Sequence, residues 1–130
     1  MELKLGLKRE ESYIVKESDI ASFLGSGDVA VLSTPAMILM MESTSLKLAQ
    51  EYLPEGYTTV GTKVCVSHLK PAPLGARVRV ISELTEVDGR RLVFKVEAYW
   101  NDVKIGEGTH ERFVVNREKF LAKVKEMVSR

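Results

Sequence analysis

The run Thr34-Pro35-Ala36-Met37-Ile38-Leu39-Met40-Met41-Glu42, continuing to Leu53, decides how the rest of the chain folds. Thr34 is a good helix N-cap. Pro35 suits the first helical position, where a backbone N–H would have no partner. Gly56, just past Pro54, supplies a stop. The stretch therefore predicts one helix over 34–53. At about 100° per residue, Ser43, Thr44, Lys47, Gln50 and Glu51 fall on one side, and Ile38, Met41, Leu46, Ala49, Tyr52 and Leu53 on the other. Glu42 lands inside the apolar stripe, between Ile38 and Leu53. A carboxylate there costs free energy unless it is paired, hydrogen-bonded or protonated. That placement is the first pointer to chemistry.

Ahead of the helix, a first strand is expected within 10–16, around the short apolar run Tyr13-Ile14-Val15. Ser18-Asp19 can start a short helix to Leu24, which Gly25-Ser26-Gly27-Asp28 breaks. Beyond the helix, strand patterns follow one another. Tyr57 to Lys70 places Val60, Thr62, Val64, Val66 and His68 on one face by simple alternation. Ala76 to Val87 and Arg91 to Trp100 flank the hairpin signal Asp88-Gly89. Lys104 to Val115 closes the set, with Gly106 and Gly108 marking a bulge or a close backbone approach. Asn116 can cap a last helix, Arg117 to Arg130, whose apolar stripe is Phe120, Leu121, Val124, Met127 and Val128.

This order of elements is α+β: consecutive antiparallel strands around one apolar helix, with a terminal helix. At 130 residues it is expected to form one domain over 1–130, large enough to need no disulfide or metal staple. One sheet and one helix leave an edge strand and an outer face to cover, which a second copy can do. A net charge of +1 gives no footprint for nucleic acid. Cys65 is alone, so a cysteine zinc site is not expected, and a reducing, cytoplasmic setting fits. The opening Met1-Glu2-Leu3-Lys4 predicts no signal peptide. The longest apolar run, the seven residues 35–41, is too short to cross a membrane.

Several blocks together resemble hotdog-fold thioesterases of the fluoroacetyl-CoA thioesterase type. They are Thr34 with Glu42; Val60-Gly61-Thr62-Lys63-Val64-Cys65-Val66-Ser67-His68; Val87-Asp88-Gly89-Arg90-Arg91-Leu92; Gly108-Thr109-His110-Glu111-Arg112; and Glu118-Lys119-Phe120. The resemblance spans roughly 31–125 with the spacing of Thr34, Glu42, Gly61 and His68 preserved. It implies an antiparallel sheet wrapped around a central helix, and a homodimer or a dimer of dimers. It also implies an active site at the dimer interface that takes an acyl-CoA ester, with coenzyme A as part of the substrate and no other cofactor. Thr34, Glu42 and His68 would form the catalytic triad. Gly61 would hold the thioester carbonyl by its N–H, and Arg112 would lie near the site. One departure stands out. The segment before Thr34 reads Ser22-Phe23-Leu24-Gly25-Ser26-Gly27-Asp28-Val29-Ala30, without the family's lid phenylalanine in the matching place. The resemblance thus carries thioester hydrolysis rather than fluoroacetyl selectivity.

These residue types suit that reaction. Hydrolysis needs an attacking oxygen, a base, and a donor for the oxyanion; carboxylate, imidazole and a backbone N–H supply them. Glycine lets a substrate approach the backbone closely. Glu42 can activate water or attack directly to give a mixed anhydride. It is expected within reach of His68, in one subunit or across the contact. Structural readings stand beside these roles: Thr34 as a plain cap, Glu42 in an ion pair with Arg112 or Lys63, Gly61 as a bulge. His110 and Cys65 read as structural. A non-catalytic acyl-CoA-binding protein, or a hydratase or dehydratase on the same fold, are the alternative functions, since a fold alone does not choose among them.

Overall fold

The computed structural model describes residues 3–129. Its strands are β1 (Lys8–Ile14), β2 (Tyr57–His68), β3 (Arg77–Asp88), β4 (Arg91–Trp100) and β5 (Val103–Asn116). Its helices are α1 (Ala21–Leu24), α2 (Thr34–Gln50) and α3 (Arg117–Val128). The strands form one antiparallel sheet in the order β1-β3-β4-β5-β2, which leaves β2 at an edge. Gly89, at φ +61°, turns β3 into β4; Asn101, at φ +56°, turns β4 into β5. Asparagine tolerates this left-handed conformation better than most residues.

The helix α2 lies against one face of the sheet. Met37, Met41 and Leu48 from α2 join Val78, Val80, Leu84, Leu92, Phe94 and Val96 in a core closed to solvent. Each such large side chain contributes roughly 2 kcal/mol by leaving water. The buried stripe is rotated from the one the sequence predicts. Thr44, expected on the polar side, is buried, as is Ser45. Both are satisfied: Thr44 Oγ1 bonds the Met40 carbonyl (2.8 Å) and the Tyr13 hydroxyl (2.9 Å), and Ser45 Oγ bonds the Met41 carbonyl (2.9 Å) and Ser82 Oγ (2.8 Å). Donating back to the preceding turn hides small hydroxyls inside a helix interface. Ile38, Glu42 and Leu46 are half-buried, so Glu42 sits at the flank of the stripe rather than within it.

The helix boundaries also differ from expectation. Ser33, not Thr34, is the N-cap: its hydroxyl accepts the Ala36 N–H at 3.1 Å. Thr34 is the first helical residue and its side chain is left free of capping. The helix stops at Gln50 rather than Leu53. There the Tyr52 N–H turns back to the Ala49 carbonyl, and the Gln50 amide ties the turn to the Tyr57 carbonyl (2.8 Å) and Thr58 Oγ1 (2.9 Å). Asn116 caps α3 as expected, but the apolar stripe of α3 stays exposed in the chain.

Close approach explains the two glycines of β5. A Cβ on Gly106 would overlap Met37 Sδ, and one on Gly108 would run into the Cys65 carbonyl oxygen and lie 2.6 Å from Val66 Cα. Gly106 thereby lets the first turn of α2 settle onto the sheet, which fixes where Thr34 stands.

Candidate active site

The helix α2 runs antiparallel to the edge strand β2, so the two elements share a groove. Gln50 meets Tyr57 at one end and Thr34 meets His68 at the other. Simple alternation along β2 fails in the middle. The pairing with β5 runs Gly61↔Arg112, then Lys63↔Glu111 and Val64↔His110, so Thr62 is an inserted, bulged residue. A bulge resets which residues face each side of a sheet. Thr59 and Gly61 therefore share the helix-facing side with Val64, Val66 and His68. Val60 and Thr62, expected on that side, do not. Without the bulge Gly61 and His68, an odd number of residues apart, would face opposite ways.

The five site residues expected from the sequence fall into two groups on this groove. The first is Thr34 with His68. Thr34 Oγ1 and His68 Nδ1 are joined by a hydrogen bond of 2.8 Å, possible because Ser33 has taken over the capping role. His68 Nε2 is buried and has no hydrogen-bond partner among the described residues. Burial pushes the His68 imidazole below its ordinary range, and the nearby Lys70 backbone opposes this in part. Beside the pair opens a cleft of about 330 Å³ lined by Ala21, Ser26, Leu32, Thr34, Pro35 and His68, among others. Its lining contains no Phe, Tyr or Trp. Phe23 is exposed and stands outside it.

The second group converges on Gly61. A Cβ there would lie 3.2 Å from Glu42 Oε2, 3.3 Å from Arg112 Nη1 and 3.4 Å from His110 Cε1. Arg112 is buried and each of its three guanidinium nitrogens has a partner. Its Nε donates to Thr59 Oγ1 (2.7 Å), its Nη2 to the Thr59 carbonyl (3.0 Å), and its Nη1 to His110 Nε2 (3.1 Å). Burial lowers the guanidinium's pKa and the Glu42 carboxylate pulls it back up. Glu42 itself makes no hydrogen bond among the described residues, so its oxygens stand beside Gly61 uncommitted.

Glu42 and His68 are thus not partners within one chain. The two groups lie on the order of 20 Å apart along β2, at ~3.3 Å per residue. The imidazole on the Glu42 side of the groove is His110. The sequence reading of His110 as a buried structural residue left out this position: it is 1% exposed and sits against Arg112, beside Gly61. The available signal was its spacing, since His110 and Arg112 are two apart and share a strand face. Cys65, also read as structural, is an exposed free thiol. No helix among the described residues is long and apolar enough to cross a membrane.

Known proteins share this arrangement of elements. A family model described as fluoroacetyl-CoA-specific thioesterase matches residues 15–118. The fluoroacetyl-CoA thioesterase of Streptantibioticus cattleyicolor is 42% identical over 96 residues, 74% of this chain and 69% of that one. A solved structure of the fluoroacetyl-CoA thioesterase superposes with a TM-score of 0.88 at 33% identity, covering 95% of this chain and 96% of that one. A Thermus thermophilus hypothetical protein, a thioesterase superfamily member, reaches 0.92 at 28% identity, covering 99% and 96%. A hot-dog-like protein from Thermanaerovibrio acidaminovorans reaches 0.88 at 27% identity, covering 96% and 93%. The sheet and helix are therefore the hotdog arrangement. With a family model matched over most of its length, the chain belongs to the fluoroacetyl-CoA-specific thioesterase family.

Proposed function

We propose that the protein hydrolyses a small acyl-CoA thioester to free acid and coenzyme A, without metal or added cofactor, as a homodimer whose sites span two copies of the chain. The observation that carries this reading is the convergence of Glu42 on Gly61. It brings an uncommitted carboxylate and an accessible backbone to one point, the requirement for attack on a carbonyl. The family of thioester hydrolases to which the chain belongs supports the reaction class.

The edge strand β2 supports this subunit arrangement. It is a twelve-residue edge strand, and such an edge readily pairs with a second copy. Antiparallel pairing about a two-fold axis between Val64 and Cys65 would set Gly61 opposite His68 of the partner subunit. Each complete site would then hold Glu42 and Gly61 from one chain and the Thr34–His68 pair from the other. The Thr34–His68 hydrogen bond supports this, because it holds an imidazole at the opposite end of the same edge strand from Gly61.

In this mechanism the thioester carbonyl accepts the Gly61 N–H. Glu42 takes a proton from water as the oxygen adds to the carbonyl carbon. The oxyanion collapses, the C–S bond breaks, and the thiolate of coenzyme A leaves with that proton. Thr34 fixes the His68 ring, which orients the thioester. Arg112 holds positive charge beside Glu42. The absence of Phe, Tyr and Trp from the cleft lining favours acyl groups other than fluoroacetyl. The lone, unpaired Cys65 fits a cytoplasmic protein.

The test is thiol release from short, branched and aryl acyl-CoAs. The unaltered protein is expected to turn over at least one of them, with Glu42→Gln and His68→Ala slower by about tenfold or more. Binding without thiol release would leave only the binding-protein alternative.

A further inference from the structure

Resting on the hydrolase reading above, we propose that His110 is a positioning residue for the reaction: it locks the Arg112 guanidinium against Gly61 and Glu42. The hydrogen-bond pattern leaves one arrangement. His110 Nδ1 lies 2.8 Å from the Lys63 carbonyl oxygen, which can only accept, so Nδ1 carries the proton. Nε2 is then an acceptor, and it receives Arg112 Nη1 at 3.1 Å. The two remaining bonds of Arg112 both go to Thr59. The guanidinium is thus held at Thr59 on one side and His110 on the other, and its Nη1 is the atom nearest Gly61.

The bulge contributes to this lock. Lys63 is the residue just after the insertion, and its carbonyl is the one that fixes the His110 tautomer. The same irregularity that turns Gly61 toward the helix therefore also orients the ring behind it. His110 is closed to solvent and both of its ring nitrogens are taken, by the Lys63 carbonyl and by Arg112, so it acts on the site through Arg112 rather than by exchanging a proton with substrate.

Protonation of His110 would remove the acceptor and set two cations side by side. The groups facing the ring are Arg112 and Glu111 on β5, the Lys63 carbonyl on β2, Glu42 on α2 and the Phe94 ring on β4, 6.3 Å away between centroids. Burial comes first among the influences and holds the ring neutral; Arg112 acts in the same direction, while Lys63, Glu42 and Glu111 oppose it.

The experiment is steady-state thiol release by His110→Leu, His110→Gln, Arg112→Lys and the His110→Leu/Arg112→Lys pair, with Glu42→Gln alongside. His110→Leu is expected to lower kcat by about tenfold with KM within about twofold, because positioning acts on the transition state. His110→Gln should restore most of that loss, since its amide can donate to Lys63 and accept from Arg112. In the Arg112→Lys background His110→Leu should cost less than about twofold, the mark of coupled residues. Should His110→Leu fail to fold, His110→Gln carries the test through pH: its acid limb of kcat is expected to be less steep than that of the unaltered protein, because one titrating ring is gone. Equal kcat in His110→Leu and the unaltered protein, an uncoupled double variant, or an identical acid limb in His110→Gln would overturn the inference. Absence of thiol release by the unaltered protein would instead overturn the hydrolase reading beneath it, and undiminished turnover in Glu42→Gln would overturn the role of Glu42.

Discussion

Gly61 and His68 face the same side of the sheet although an odd number of residues separates them, because Thr62 is bulged out of the β2–β5 pairing. The relationship ties one backbone irregularity to the assembly of the site. Deleting Thr62 should restore regular alternation and turn one end of β2 over. The expected result is loss of thiol release by about a hundredfold or more, the scale on which a misplaced catalytic group fails. A Thr62→Ala variant keeps the bulge and should retain activity within about threefold. Comparing the two in one assay separates the inserted residue's place in the chain from its side chain.

Ser33 and Thr34 divide two jobs that the sequence assigns to Thr34 alone. Ser33→Ala removes the cap on α2 and should cost about 1 kcal/mol in urea unfolding, with a small effect on turnover. Thr34→Ala removes the hydroxyl that holds His68 and should do the reverse, lowering kcat by about tenfold while shifting stability little. Equal losses of stability in both variants would return the capping role to Thr34.

Stability should fall as the solution is acidified from neutrality. Burial sets His68 and His110 below the ordinary imidazole value of 6.5. Above that value both rings are neutral in the folded and unfolded chains, and neither affects folding. As pH drops through it, the unfolded chain binds protons first, so unfolding is favoured until the folded rings also titrate. The urea midpoint should therefore decline between pH 7.5 and about 5, before the carboxylates of Glu11, Glu97 and Glu111, all held low by basic partners, begin to protonate. His110→Gln should flatten that slope.

The sequence discloses the main helix, the hairpin at Asp88-Gly89 and the order of the strands, because Pro35, Gly56 and Gly89 punctuate strongly periodic segments. It also brings Thr34, Glu42, Gly61, His68 and Arg112 forward as a set. A glycine inside a strand marks Gly61 as a possible bulge, but the effect on facing is hidden, because Val60-Gly61-Thr62-Lys63-Val64 alternates cleanly and the inserted residue, Thr62, shows only in the pairing with β5. The cap is hidden because Ser33 and Thr34 are adjacent residues that both favour the N-cap, and Pro35 fits the first or the second helical position. The buried Thr44 and Ser45 look polar on a helical wheel; partners on β1 and β3 accommodate them. His110 is overlooked because its partners, Arg112 and the Lys63 carbonyl, are brought to it only by strand pairing.

Each site is predicted to take Glu42 from one subunit and His68 from the other. Subunit exchange between Glu42→Gln and His68→Ala proteins tests it directly. In a mixed dimer one site would carry both defects and the other neither. An equal mixture should then recover about a quarter of the unaltered turnover, since about half the dimers are mixed and each has one intact site of two. A mixture no more active than either variant alone, with exchange verified, would contradict the account.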